Sequence, residues 1–137
     1  GVHNFENAAC AIIATKDLVK KESIDRVLTE FKGVEHRLEL VKETKDRIKW
    51  YNDSVSSSPT RTIAGLNAFS FKNIILIAGG YDKNLDYTPL AVPILENVDN
   101  LVLIGQTAGK IFEAVKAEAE KKKKNMQRGR KKSIRFL

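Results

Sequence analysis

The chain has 137 residues, about one domain at the usual size of roughly 100–200 residues. Its 42% hydrophobic and 30% charged residues fit a globular chain and exclude collagen-like and coiled-coil composition; a single Cys10 excludes a disulfide scaffold, and no run of about 18 apolar residues offers a membrane span. The net charge of +7 is unevenly placed: residues 121–137 hold nine Lys or Arg and no acid, leaving 15 basic against 17 acidic residues before them, so the basic character belongs to the tail and disfavours nucleic acid as the partner of the whole chain.

In chain order, Asn4 is placed to cap a helix with Phe5, Ala8, Ala9, Ile12 and Ile13 on its apolar face. Ser23 is placed to cap a second, in which Ile24, Val27, Leu28 and Phe31 form one stripe closed by Gly33. The period then changes. Segments 36–43 and 48–52, with Lys45 and Asp46 between them, predict a β-hairpin. Ser58 and Pro59 open a helix running to about Phe69. Asn73 to Ala78 is a solid apolar run ending in Gly79-Gly80, as expected of a central parallel strand apolar on both faces. Thr88 and Pro89 start the next helix, with Leu90, Ile94, Leu95 and Val98 inward; Leu101 to Ile104 is a second buried strand; a last helix carries Ala108, Ile111, Phe112, Val115 and Ala119. The order β-β-α-β-α-β-α argues for an α/β fold with a mostly parallel sheet and right-handed crossovers. After Glu120 apolar periodicity disappears, and residues 121–137 are expected to be a disordered basic tail.

Ligands of open parallel sheets bind outside the carboxyl ends of the strands. Three polar clusters fall there: Asn52-Asp53-Ser54 with Ser56, Ser57 and Ser58; Gly79-Gly80-Tyr81-Asp82-Lys83; and Gly105-Gln106-Thr107. Each precedes a helix start, where free N–H groups favour anions, so a nucleotide or acidic ligand is indicated. Taken singly, Ser56 to Pro59 reads as a helix cap and Gly79-Gly80 as a tight turn. His3 and His36 are too isolated for a metal site. Cys10, among Ala and Ile, reads as a buried inert thiol, and Trp50 and Tyr51 as strand packing. No Walker A loop is present in the sequence.

Four pieces together carry a family resemblance: Gly1-Val2-His3-Asn4 with Asn7; Phe31-Lys32-Gly33-Val34-Glu35-His36-Arg37-Leu38-Glu39; Tyr51-Asn52-Asp53-Ser54; and Gly79-Gly80-Tyr81-Asp82-Lys83. In this order and spacing the chain resembles the Mur ligases of bacterial peptidoglycan synthesis, and Asn-Asp-Ser with Gly-Gly-x-Asp-Lys favours the branch that adds D-glutamate. The resemblance covers about residues 1–120. It implies that residues 1–34 are the last helices of a central ATPase domain plus a link, and that 35–120 are part of a Rossmann-like C-terminal domain. It implies ATP and Mg²⁺ as cofactors of the whole enzyme, with UDP-N-acetylmuramoyl-L-alanine and D-glutamate as substrates joined through an acyl phosphate. It also implies residue roles: Asn7 at the ATP base, Arg37 at the phosphates, Asp53 at the ribose, Ser57 and Lys83 at D-glutamate, and Asn52, Ser54, Gly79, Gly80 and Asp82 in supporting loops. No metal ligand and no certain catalytic residue is assigned.

Two departures stand out. The family often has Asp-Ser-Lys-Ala-Thr where this chain has Asp53-Ser54-Val55-Ser56-Ser57, so Val55 removes a positive charge and Ser57 replaces a threonine. The P-loop, the UDP-binding domain and the final Ser-rich segment have no counterpart here. The expectation is therefore a cytoplasmic ligase fragment, inactive alone, that needs the missing domains in cis or in trans, with a tail from a shifted reading frame. Two other readings stay open: a nucleotide-binding module completed by a partner chain, and a binder of nucleic acid or anionic surfaces acting through the tail.

Overall fold

A computed structural model describes residues 2–69, 73–125 and 135–136. The chain divides into two compact units, 1–54 and 55–137.

The first unit holds helices α1 (Val2–Thr15) and α2 (Lys21–Glu30) and strands β1 (Glu39–Glu43) and β2 (Lys49–Asn52). Neither expected serine or asparagine cap forms. Asn4 lies inside α1, whose alanine-rich sequence favours helix from Val2 onward. Ser23 lies inside α2, because the Lys20 carbonyl already accepts the Ser23 and Ile24 N–H groups at 3.0 and 3.3 Å; Glu22 in that first turn suits the helix dipole. Phe31 turns extended and ends α2, and Gly33 follows with φ +102°, a conformation that suits glycine. The apolar stripe of α2 is not buried: Val27, Leu28 and Phe31 are at least half exposed. Cys10 is exposed too, against the expectation of a buried thiol, because α1 buries none of its described side chains.

The hairpin forms as expected. β1 and β2 pair antiparallel, Glu39 opposite Asn52 and Glu43 opposite Lys49, with a bulge between Leu40 and Lys42. The turn closes through Thr44 N–H to the Ile48 carbonyl and Arg47 N–H to the Thr44 carbonyl.

The second unit carries the core. Its elements are α3 (Pro59–Asn67), β3 (Ile74–Gly80), a 3₁₀ turn Thr88–Leu90, α4 (Ala91–Asn97), β4 (Val98–Gly105), α5 (Ala108–Asn125) and β5 (Arg135–Phe136). Ser58 precedes α3 with Pro59 in its first turn, but no side-chain cap bond forms. The sheet order is β3-β4-β5, all parallel, so β4 takes the central place expected of β3. Leu66, Leu90, Ala91, Ile94, Val98, Leu101, Ile111 and Val115 form the buried cluster, with Ile74, Leu76 and Ala78 of β3 packed on it. Ile75 and Ile77, on the other face of β3, are exposed, so a strand apolar on both faces is covered on one. Val98, expected in the helix, is the first residue of β4 and fully buried.

Helix α5 runs five residues past Glu120, where packed structure was expected to end. Lysine is a good helix former, and Lys122 reaches Glu96 at 3.4 Å while Lys121 reaches Glu118 at 3.7 Å. Arg135 and Phe136 pair with Asn100 and Leu101. The rest of the expected tail, 126–134 and 137, lies outside the described residues.

Candidate functional site

Two polar clusters, one in each unit, hold most of the expected site residues. The first is built on the hairpin. Because Glu39 faces Asn52, the residues just before β1 and just after β2 meet. Leu38 donates its N–H to Asp53 Oδ1 at 3.0 Å. Asn52 Nδ2 donates to His36 Nδ1 at 2.9 Å; the Asn52 Oδ1 accepts the Ser54 N–H at 3.1 Å, which orients the amide. Glu39 Oε2 accepts the His36 N–H at 2.9 Å and lies 3.7 Å from the His36 ring nitrogen. Arg37 N–H donates to the Val34 carbonyl at 3.2 Å.

The backbone inside this cluster is strained. His36 and Leu38 both have positive φ, 63° and 46°, in the left-handed region that costs an L-residue about 1–2 kcal/mol. Leucine has no side-chain bond to offset that. Arg37 sits between the two strained residues, and its side chain is exposed.

The second cluster joins the ends of β3 and β4. Gly79 and Gly80 have φ +126° and +137°, and a Cβ on Gly79 would stand 1.9 Å from the Ile104 carbonyl oxygen, so the close strand crossing requires glycine. A Cβ on Gly105 would likewise stand 2.9 Å from the Gly80 backbone. Thr107, fully buried, donates its N–H to the Gly80 carbonyl at 3.2 Å and accepts the Ile111 N–H at 3.0 Å, tying the start of α5 to the β3 end. Beyond it Asp82 is held on three sides. Its N–H donates to Gln106 Oε1 at 3.1 Å, its Oδ1 accepts the Asn84 N–H at 2.9 Å, and its Oδ2 pairs with Lys110 Nζ at 2.5 Å. The hydrogen bond from Lys110 and then that from Asn84 hold the carboxyl below its ordinary range. Lys83 is exposed beside it.

The expected residues are thus sorted. Asn52, Asp53 and Ser54 surround the Arg37 loop. Gly79 and Gly80 end β3, and Asp82 lies in the loop that follows and carries Lys83. Asn7 is on α1, and Ser57 donates its N–H to the Val55 carbonyl at 2.8 Å; among the described residues no side-chain hydrogen bond joins either of them to these clusters. Trp50 and Tyr51, expected as packing, are 53% and 38% exposed. His36, read as isolated, and Lys110, not singled out, are structural members of the clusters; the hairpin register and the position of Lys110 in the first turn of α5 are the signals that point to them. Among the described residues no three His, Cys, Asp or Glu side chains gather as metal ligands, and no helix is long and apolar enough to cross a membrane.

No family model matches the chain. Curated proteins do. It is 55% identical over 121 residues to a UDP-N-acetylmuramoylalanine–D-glutamate ligase of Acetivibrio thermocellus, covering 88% of this chain and 26% of that enzyme. Ligases of the same name from Clostridium botulinum and Clostridium beijerinckii are 53% identical over 116 and 111 residues, covering 85% and 81% of this chain and 25% and 24% of theirs. The chain spans about a quarter of the length of the curated relatives it matches. Over that stretch it is similar in sequence to enzymes named UDP-N-acetylmuramoylalanine–D-glutamate ligase.

Proposed function

We propose that this chain is part of an ATP-dependent ligase that adds D-glutamate to UDP-N-acetylmuramoyl-L-alanine in peptidoglycan synthesis, a cytoplasmic reaction. The reading is carried by the identity of more than half its matched residues with ligases of that name. On this reading residues 1–34 close the central ATP-binding domain, 35–120 begin the C-terminal domain, and the remaining domains, in cis or in trans, supply the P-loop.

The reaction transfers the terminal phosphoryl group of ATP to the alanine carboxylate, releasing ADP. The D-glutamate amine then attacks the acyl phosphate, an amide forms, and phosphate leaves. Most of the catalytic gain in phosphoryl transfer is positioning and charge stabilisation. Arg37 suits the phosphates, since a guanidinium offers a planar fork of donors that is always charged. Asp53 keeps Oδ2 for a ribose hydroxyl while Oδ1 holds Leu38. Asn7 is assigned to the base. Lys83 and Ser57 are assigned to D-glutamate, as a cation and a hydroxyl for its carboxylates, with Asp82, Gly79 and Gly80 shaping the loop and Asn52 and Ser54 the other one. Mg²⁺ would neutralise phosphate charge when bound; its ligands are assigned to the rest of the enzyme.

Replacing the matched stretch of the Acetivibrio thermocellus ligase with these residues tests the assignment. The graft is expected to release phosphate only when D-glutamate is present. Arg37→Ala and Lys83→Ala in it are each expected to cut kcat/KM by about a hundredfold or more, the scale of a lost transition-state contact. A folded graft that forms no amide contradicts the reading.

A further inference from the structure

We propose that Asp53 is a positioning residue: its carboxylate holds Leu38, and through it the strained His36-Arg37-Leu38 loop, so that Arg37 is presented to a polyphosphate whether or not a ribose is bound. The proposal rests on the nucleotide reading above and assigns Asp53 a second task within it.

Three observations carry it. The residues on both sides of Arg37 have left-handed backbone, which a bulky leucine keeps only when surrounding contacts impose it. Glu39 of β1 accepts the His36 N–H, and the two remaining side-chain contacts come from the end of β2. Asp53 Oδ1 takes the Leu38 N–H, and Asn52 Nδ2 reaches His36 Nδ1. Asn52 is itself fixed by the Ser54 N–H, so the clamp is built of groups that orient one another. Finally, Asp53 and Leu38 are both partly buried, where a carboxylate accepting an N–H holds more firmly than in open water. Arg37 remains exposed, so the loop directs its charge outward. Strain that persists next to a free guanidinium is preorganisation: the loop loses little further freedom when a phosphate arrives.

The test uses the full chain, inorganic tripolyphosphate as a probe without ribose, and two NMR readouts: the Arg37 Nε–H resonance and hydrogen exchange at the Leu38 amide. In the unaltered chain the Leu38 amide is expected to be protected and Arg37 Nε–H to shift with tripolyphosphate. Asp53→Ala should remove the protection and weaken tripolyphosphate binding by about tenfold, the scale of one lost charge-assisted hydrogen bond. Asp53→Asn keeps an acceptor oxygen and should retain both. Adding Leu38→Gly to Asp53→Ala should recover most of the binding without the protection, since glycine takes positive φ without strain. A residue that touched only ribose would leave tripolyphosphate binding unchanged in Asp53→Ala, and that result overturns the proposal. So does an unprotected Leu38 amide in the unaltered chain. An Arg37 that ignores tripolyphosphate and ATP alike, with the protection pattern intact, would sink the nucleotide reading and leave the clamp standing.

Discussion

The two units of the chain are held by different forces. Every buried apolar residue of the core cluster lies between Leu66 and Val115, in the second unit. In the first, Phe5, Ile13, Val27, Leu28 and Phe31 are all exposed, and its best-defined feature is polar: the clamp of Asn52 and Asp53 on the Arg37 loop. Hydrophobic burial is non-directional and scales with area, so it fixes a sheet without dictating any one side chain. Hydrogen bonds are directional and worth only about 0.5–1.5 kcal/mol net, so they can aim a residue but contribute little to holding a unit together. The second unit therefore accounts for most of the stability, while each unit has an exposed candidate cation, Arg37 or Lys83, beside side-chain hydrogen bonds that set its loop.

Truncations sharpen this difference. Ile94 is fully buried in the core cluster, and Ile94→Ala is expected to cost about 2–5 kcal/mol, as large-to-small changes in cores do. Val27→Ala, on the exposed stripe of α2, should change stability by about 0.5 kcal/mol or less. Chemical denaturation of the two variants checks both, and equal losses would mean that α2 is as firmly packed as the core.

A smaller effect tests the second loop. The Asp82 carboxyl is held below its ordinary value of 3.8 in the folded chain. A carboxyl depressed by folding contributes stability above its unfolded value, and that contribution is lost as pH falls through the folded one. Lys110→Met removes the main cause. The Asp82 carboxyl carbon, followed by NMR, should then titrate at higher pH, still below 3.8 because the Asn84 N–H remains. An unchanged midpoint would mean that the Lys110 pair is not formed in solution.

The second unit was largely legible because its signals are local. The run Ile74 to Ala78 and the stripe Ile111, Val115 announce a strand and a helix by period alone. What was misplaced there depended on neighbours: only pairing with both β3 and β5 makes β4 central, and only the sheet draws Val98 from helix into strand. In the first unit the helices were legible but their burial was not, since an amphipathic stripe states that a face is apolar without naming what covers it. The site residues were named from motif resemblance, and their geometry was hidden in contacts 15 or 16 residues apart, Leu38 with Asp53 and His36 with Asn52. The hairpin register implies those contacts; nothing in a leucine announces φ +46°. Lys110 escaped for the same reason, being 28 residues from the Asp82 it pairs with.

The most direct test of the functional account is an ATP titration of the full chain followed residue by residue in amide NMR spectra. The account predicts saturable shifts centred on 36–38 and 52–53, with 81–84 unmoved until D-glutamate is added. Shifts confined to the lysines of 121–124, fading as salt is raised, would contradict it and make the basic end of α5, not the Arg37 loop, the place where this chain meets phosphate.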